Sequence, residues 1–326
     1  MFGKLTIQPR ILWITVACVA VAAGMSPSAT TPASAAPTVA VAQTTAMVQS
    51  LFNNPVNGEV RLPQGKLTVA PTLRLPRGLK IIGNKTVFAL AAGSGDYYSM
   101  LMGTLPSTDL SGLSISGVTF DQSAALNPVT VYSLYHGSPR FAVAVFRGTG
   151  ISITGSTFLG ADNLNTVLVG SVATRITISN NTFQTIDPAL HDHSSIYTHS
   201  NDVTITGNTF TGSNIYGAAI ETHGDRATVT GNKIQGYYRA TNLTSNDTLF
   251  AGNTVTDGVN IADLWSLGGL SNVVVRDNVM TRSNWTAWVQ ILHHSIPAEF
   301  RQLVIYDPTT PTGFRNITIT NNTTTK

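Results

Sequence analysis

A six-residue pattern, apolar, Ser/Thr, Gly/Asn, Asn, any residue, apolar, recurs with small variations and limits the possible folds more than any other feature of the chain. It reads ISNNTF at 178–183, ITGNTF at 205–210, VTGNKI at 229–234, FAGNTV at 250–255, VRDNVM at 275–280 and ITNNTT at 319–324. Weaker copies stand upstream, ISGVTF at 115–120 and ITGSTF at 153–158. The central residues Asn181, Asn208, Asn232, Asn253, Asn278 and Asn322 are separated by 27, 24, 21, 25 and 44 positions. A period in the twenties suits leucine-rich repeats or stacked β-coils. There is no leucine consensus and no helical half-repeat. Short runs of Ile, Val and Thr alternate instead, with Gly and Asn between them, as half-buried strands and bends require. The expected fold is all-β: a single-stranded solenoid of parallel coils, each about 4.8 Å above the last. Stacked Asn residues fit such a solenoid. Asn tolerates the left-handed backbone of a bend, and its amide can bond along the stack. The last interval, 44, is either two coils or one coil with a long loop.

The ends of a solenoid expose unpaired backbone groups. Residues 44–52 place Val48, Leu51 and Phe52 on one helical face, which predicts a helix over the first coil with Thr44 or Thr45 as N-cap. At the other end the sequence stops inside a repeat, and the stretch from about 293 to 313 is a candidate cover. The expected organisation is a leader over 1–36, an N-terminal segment with the capping helix over 37–56, and the solenoid over 57–326.

The sequence GEVRLPQGKLTV at 58–69 and its continuation LRLPRGLKIIG at 73–83 resemble the first coils of the pectin-lyase-like superfamily. With the repeats, this resemblance covers residues 57–325. It implies a right-handed parallel β-helix, a fold whose members commonly cleave or modify polysaccharides. The clustered acidic motifs of polygalacturonases and a calcium-type lyase set are both missing from the sequence.

Lys4 and Arg10 precede an apolar stretch over 11–23, and Ala33-Ser34-Ala35 follows. This is the pattern of a secretory signal peptide cleaved near Ala35, so a secreted or periplasmic protein is expected, with a membrane anchor as the alternative. The only cysteine, Cys18, lies in the leader. No other stretch is long and apolar enough to span a bilayer. Of 19 Lys and Arg residues, Lys4 and Arg10 leave with the leader, so 17 cations face 16 Asp and Glu. No cationic cluster exists to bind nucleic acid.

Residues 196–208 align without a gap on residues 220–232. If Ile196 and Ile220 face inward, alternation turns Tyr197, His199, Glu221 and His223 outward. Tyr197 then stacks beside Glu221, and His199 beside His223. The following coil contributes Asn242 and Thr244 to these columns, and the preceding one Gly170 and Val172. Four titratable or hydrogen-bonding groups this close together suit acid–base catalysis, and Tyr197, His199, Glu221 and His223 are the expected catalytic set. Asp192, His193, Arg239, Tyr238 and Asn242 are the expected substrate contacts. Arg239 would hold a sugar carboxylate, and the aromatic rings would stack on sugar faces. Trp265, Trp285 and Trp288 form either a sugar platform or packing under the long loop.

No cofactor is expected. The 191–193 run with His199 or His223 is an alternative metal site, although its spacing matches no compact ligand motif. The leading expectation is a polysaccharide lyase acting by β-elimination next to a uronate. His223 or His199 would be the base, Tyr197 the acid, and Arg239 or a protonated Glu221 the neutraliser. A C5-epimerase would use the same parts. A glycoside hydrolase would need a second carboxylate, for which Asp192 is the candidate. A non-catalytic glycan-binding or surface protein and a periplasmic metal-handling accessory are the remaining classes.

Overall fold

The computed structural model describes residues 38–94, 97–127, 140–161, 165–186, 193–264, 269–281, 304–306 and 313–325. The leader, Asp192, the three tryptophans and His293–His294 lie outside the described residues. Among the described residues no helix is long and apolar enough to cross a membrane.

The repeats stack in the register that the hexads imply. The first apolar position forms a column, Ile153, Ile178, Ile205, Val229, Phe250, Val275 and Ile319, each a Cα partner of the next in a parallel pairing. Val275 pairs directly with Ile319, so the 44-residue interval is one coil carrying an insertion. The last apolar position forms a second column on the next wall, Phe120, Phe158, Phe183, Phe210, Ile234, Val255 and Met280. Its rings lie nearly parallel: Phe158 and Phe183 are 4.7 Å apart at 8°, and Phe183 and Phe210 are 4.8 Å apart at 7°. Both columns are buried from Ile153 to Met280. The core is therefore a line of apolar residues along the axis, each packed on its equivalents above and below.

The asparagines form a buried ladder. Asn208 shows its unit: Oδ1 accepts from the Asn181 backbone N–H at 2.9 Å and from Asn181 Nδ2 at 3.0 Å. Its own Nδ2 donates to Asn232 Oδ1 at 3.0 Å and to the Ile178 carbonyl at 2.9 Å. The same links join Asn232 to Asn253, Asn253 to Asn278, and Asn278 to Asn322. The left-handed residue, however, is the one before each ladder Asn: Asn180, Gly207, Gly231, Gly252, Asp277 and Asn321, with φ of 54–65°. The expectation that the ladder Asn itself takes the bend is corrected. Its predecessor turns the chain, which frees the ladder amide to bond along the axis.

Helix α1, Val39–Asn53, begins earlier than expected, with Thr38 as N-cap. Thr44 and Thr45 lie inside it and donate back to the Ala40 and Val41 carbonyls at 2.9 and 2.7 Å. Val48 and Phe52 are buried as predicted, with the Phe52 ring edge-on to Phe88 at 6.4 Å. The helix also satisfies the open edge of the first coil. Thr45 Oγ1 accepts from the Ala70 N–H at 2.9 Å, Gln49 Oε1 accepts from the Arg74 N–H at 2.7 Å, and Gln49 Nε2 donates to the Arg74 carbonyl at 2.9 Å.

Candidate active site

One outward column of a single wall carries the site. Tyr197 lies on strand Ser194–Thr198, Glu221 on Thr209–Thr222, Asn242 on Lys233–Leu243 and Asp263 on Asn260–Leu264. They are successive Cα partners. Their neighbours Ile196, Ile220, Thr241 and Ala262 are fully buried, so alternation sends the four to the outer face. Upstream the column turns apolar: Tyr197 pairs with Leu168, Leu168 with Ala144, and Ala144 with Met102. Tyr98, Phe146 and Tyr197 pack against that group.

The expected set of four comes together. His199 and His223 stack at 4.5 Å and 12°, and Tyr197 lies 5.0 and 5.1 Å from their rings. Gly224 permits this approach, since a Cβ there would stand 2.1 Å from the Ser200 carbonyl oxygen. His199 Nε2 is 2.9 Å from the Tyr197 hydroxyl. Glu221 bridges two partners: Ser194 Oγ donates to Oε2 at 2.7 Å, and His223 Nε2 lies 2.8 Å from Oε1. His223 Nδ1 meets Thr244 Oγ1 at 2.8 Å, so Glu221 and Thr244 hold both nitrogens of that ring.

The two charge states diverge. Burial pushes His199 down to about 4, and the neighbouring His223 adds to this against the opposing pull of Glu221. His199 is therefore a neutral imidazole at neutral pH. For Glu221 burial is the largest influence and acts upward. The His223 hydrogen bond and charge, the Ser194 bond and the Arg239 charge together outweigh it, and the carboxyl is held below its ordinary range. Glu221 is thus a carboxylate, which removes the expectation that it neutralises substrate in protonated form.

Several expected contacts are placed elsewhere. His193 is fully buried, 3.2 Å from Ser195 Oγ, in a core network with Tyr237 and Thr185. It is no surface contact, because the wall bends where Ser194 reaches out and Ser195 reaches in. Tyr238 is buried beneath Arg239, whose guanidinium lies 5.0 Å from the ring centre. The ring therefore stacks on a cation and offers no open sugar platform. Arg239 Nε is 3.0 Å from Asp263 Oδ2. Asn242 sits in the column as expected, 5% exposed.

Asp263 and Leu168 escaped the sequence reading for one reason. Tyr197, Glu221 and Asn242 each precede their ladder asparagine, Asn208, Asn232 and Asn253, by 11 positions. Asp263 precedes Asn278 by 15 and Leu168 precedes Asn181 by 13, so a fixed offset passes over both. It selected Gly170 beside Tyr197, where Leu168 stands. Tolerance for extra residues between the strand and the hexad would have found them.

The family model described as "Right handed beta helix region" matches residues 80–234. The parallel coils and this match decide the handedness together. The chain is a right-handed parallel β-helix protein. No curated protein matches its sequence. Among solved structures the β-helix resembles the tailspike protein of E. coli bacteriophage HK620. A mutant in complex with a pentasaccharide gives a TM-score of 0.68 at 16% identity, covering 92% of this chain and 56% of that one. A deletion mutant with a hexasaccharide gives 0.66 at 16%, covering 86% and 52%. A further tailspike structure in complex with a pentasaccharide gives 0.61 at 15%, covering 86% and 53%. The β-helix thus spans about half the length of these structures, and at such identities the likeness concerns the fold.

Chemically, the wall of the β-helix offers a neutral imidazole beside a phenol, both backed by an oriented carboxylate–imidazole pair.

Proposed function

We propose that this chain acts on a polysaccharide laid along its outer wall, and that it cleaves beside a uronate by β-elimination. The observation that carries this reading is the 2.9 Å contact between His199 Nε2 and the Tyr197 hydroxyl, with the imidazole held neutral. His199 Nδ1 makes no hydrogen bond among the described residues and is the basic atom. With Nε2–H donating to the phenol oxygen, the phenol keeps its own proton for the leaving oxygen. Nδ1 takes the C5 proton, the C5–H electrons form the C4–C5 double bond, the C4–O4 bond breaks, and Tyr197 protonates O4. The Nε2 proton then passes to the phenolate, and proton exchange with water returns the ring to its Nε2–H form. A uronate charge near His199 also offsets the burial that weakens it as a base. Arg239 is the cation at hand for that carboxylate. His223 is a positioning residue, fixed by Glu221 and Thr244. The tailspike structures that share the fold hold oligosaccharides, which supports a glycan as the ligand.

A second reading, hydrolysis with inversion, is favoured by Asp263. It lies two rungs from Glu221 in one column, roughly 9–10 Å of backbone separation, near the upper end of the carboxylate spacing of inverting glycosidases, about 6.5–9.5 Å. Both carboxylates already carry partners, so it ranks second. The purified chain, incubated with uronate and neutral polysaccharides, separates the two. Elimination yields ultraviolet-absorbing unsaturated ends, hydrolysis yields reducing ends alone, and no product from any polymer overturns both.

A further inference from the structure

We infer that Asn242 reads a free hydroxyl or N–H on the sugar beside the acid–base rungs, so that the polymer must be unsubstituted at that position. This rests on the proposed glycan function and names the substrate feature that the same wall selects.

Asn242 lies between Glu221 and Asp263 in the outward column. Only 5% of it is exposed. Its Oδ1 is buried and meets no donor among the described residues. The ladder asparagines of this chain are equally buried, yet each amide is bonded on both sides. An unpaired buried carbonyl costs on the order of 1–3 kcal/mol. Isosteric Leu at this position would avoid that cost.

Its surroundings indicate which partner is missing. Glu221 and Asp263, directly above and below, are both acceptors, so three successive rungs present acceptor oxygens. Arg239, a cation beside them, meets Asp263 at 3.0 Å. Such a stripe attracts hydrogen-bond donors. A sugar hydroxyl or acetamido N–H satisfies it, whereas an O-acyl or O-sulfo group offers no hydrogen. A site built to bond a substrate hydroxyl rejects analogues lacking it far more strongly than an apolar pocket rejects a shape change.

The test joins a protein change to a substrate change. Asn242→Leu is expected to keep or raise the melting temperature, because it removes an unpaired polar group, and to lower kcat/KM at least 100-fold on the polymer that wild type degrades. On wild-type protein, O-acetylation of that polymer is expected to lower kcat/KM by a similar factor. The substrate comparison stands even if the Leu variant fails to fold. If Asn242→Leu lowers the melting temperature and leaves kcat/KM unchanged, or if the acetylated polymer is cleaved equally well, the inference is wrong while the glycan function survives. If wild type neither binds nor cleaves any polysaccharide, function and inference fall together.

Discussion

His199 has the most exposed consequence of any single residue. Its folded pKa is depressed to about 4, against about 6.5 for a free histidine. Between these values the unfolded chain holds more protons than the folded one. Stability from this group is thus fully present above about pH 6.5 and is lost as pH falls towards 4, a change on the order of 3 kcal/mol. NMR titration of the ring should place its midpoint near 4, and the acid limb of kcat/KM should follow it, well below the ordinary histidine range. A midpoint near 6.5 would mean that water reaches the ring. Glu221 acts on the same ring. Its charge raises the His199 pKa, so Glu221→Gln should shift that titration further down. The variant should also cost about 10²–10⁴ in kcat, because His223 loses its carboxylate partner and His199 loses basicity. If Glu221 merely stabilises the fold, the variant will lower the melting temperature and leave both the titration and kcat where they were.

Elements hold together here through contacts between equivalent positions. Asn208→Ala removes the donor to Ile178 and the acceptor for the Asn181 N–H, both fully internal. Leaving those backbone groups unpaired should destabilise the chain by about 2–4 kcal/mol, measured by urea unfolding. Gly207→Ala attacks the same turn from the backbone side. At φ 65° the new Cβ would also stand 2.6 Å from Asn180 Oδ1, and a loss of about 1–3 kcal/mol is expected. Repetition made this level legible in the sequence. Five hexads 21–27 residues apart, with a sixth 44 further on, announce strands, bends and stacking order, because an apolar residue inside a solenoid packs on its own equivalents. What repetition could not convey is anything that departs from it. The column holding Tyr197, Glu221 and Asn242 was readable while the offset to the ladder stayed constant. Asp263 disappeared where four residues were inserted, and His193 was misplaced where the wall bends. That the turn residue precedes the ladder Asn was equally hidden, since Gly, Asn and Asp all suit both places.

At the scale of the whole molecule, contacts run mainly between adjacent coils, so stability should vary along the axis. The Arg315–Thr320 strand is largely exposed, whereas Asn165–Ser179 is mostly buried. Amide hydrogen exchange should therefore be fastest at 315–325 and slowest around 165–222. Uniform protection would show that the molecule opens as one unit. Gln49→Ala leaves the Arg74 N–H and carbonyl without their partner and should loosen exchange over 65–90 while sparing the middle coils. Helix α1, packed on the first coil at the amino end, has a further consequence. A chain delivered from that end meets a sealed first layer, and each later layer settles onto one already complete, as a crystal grows from a seed. Loss of α1 should then reduce the yield of folded molecules more than the durability of those that do form.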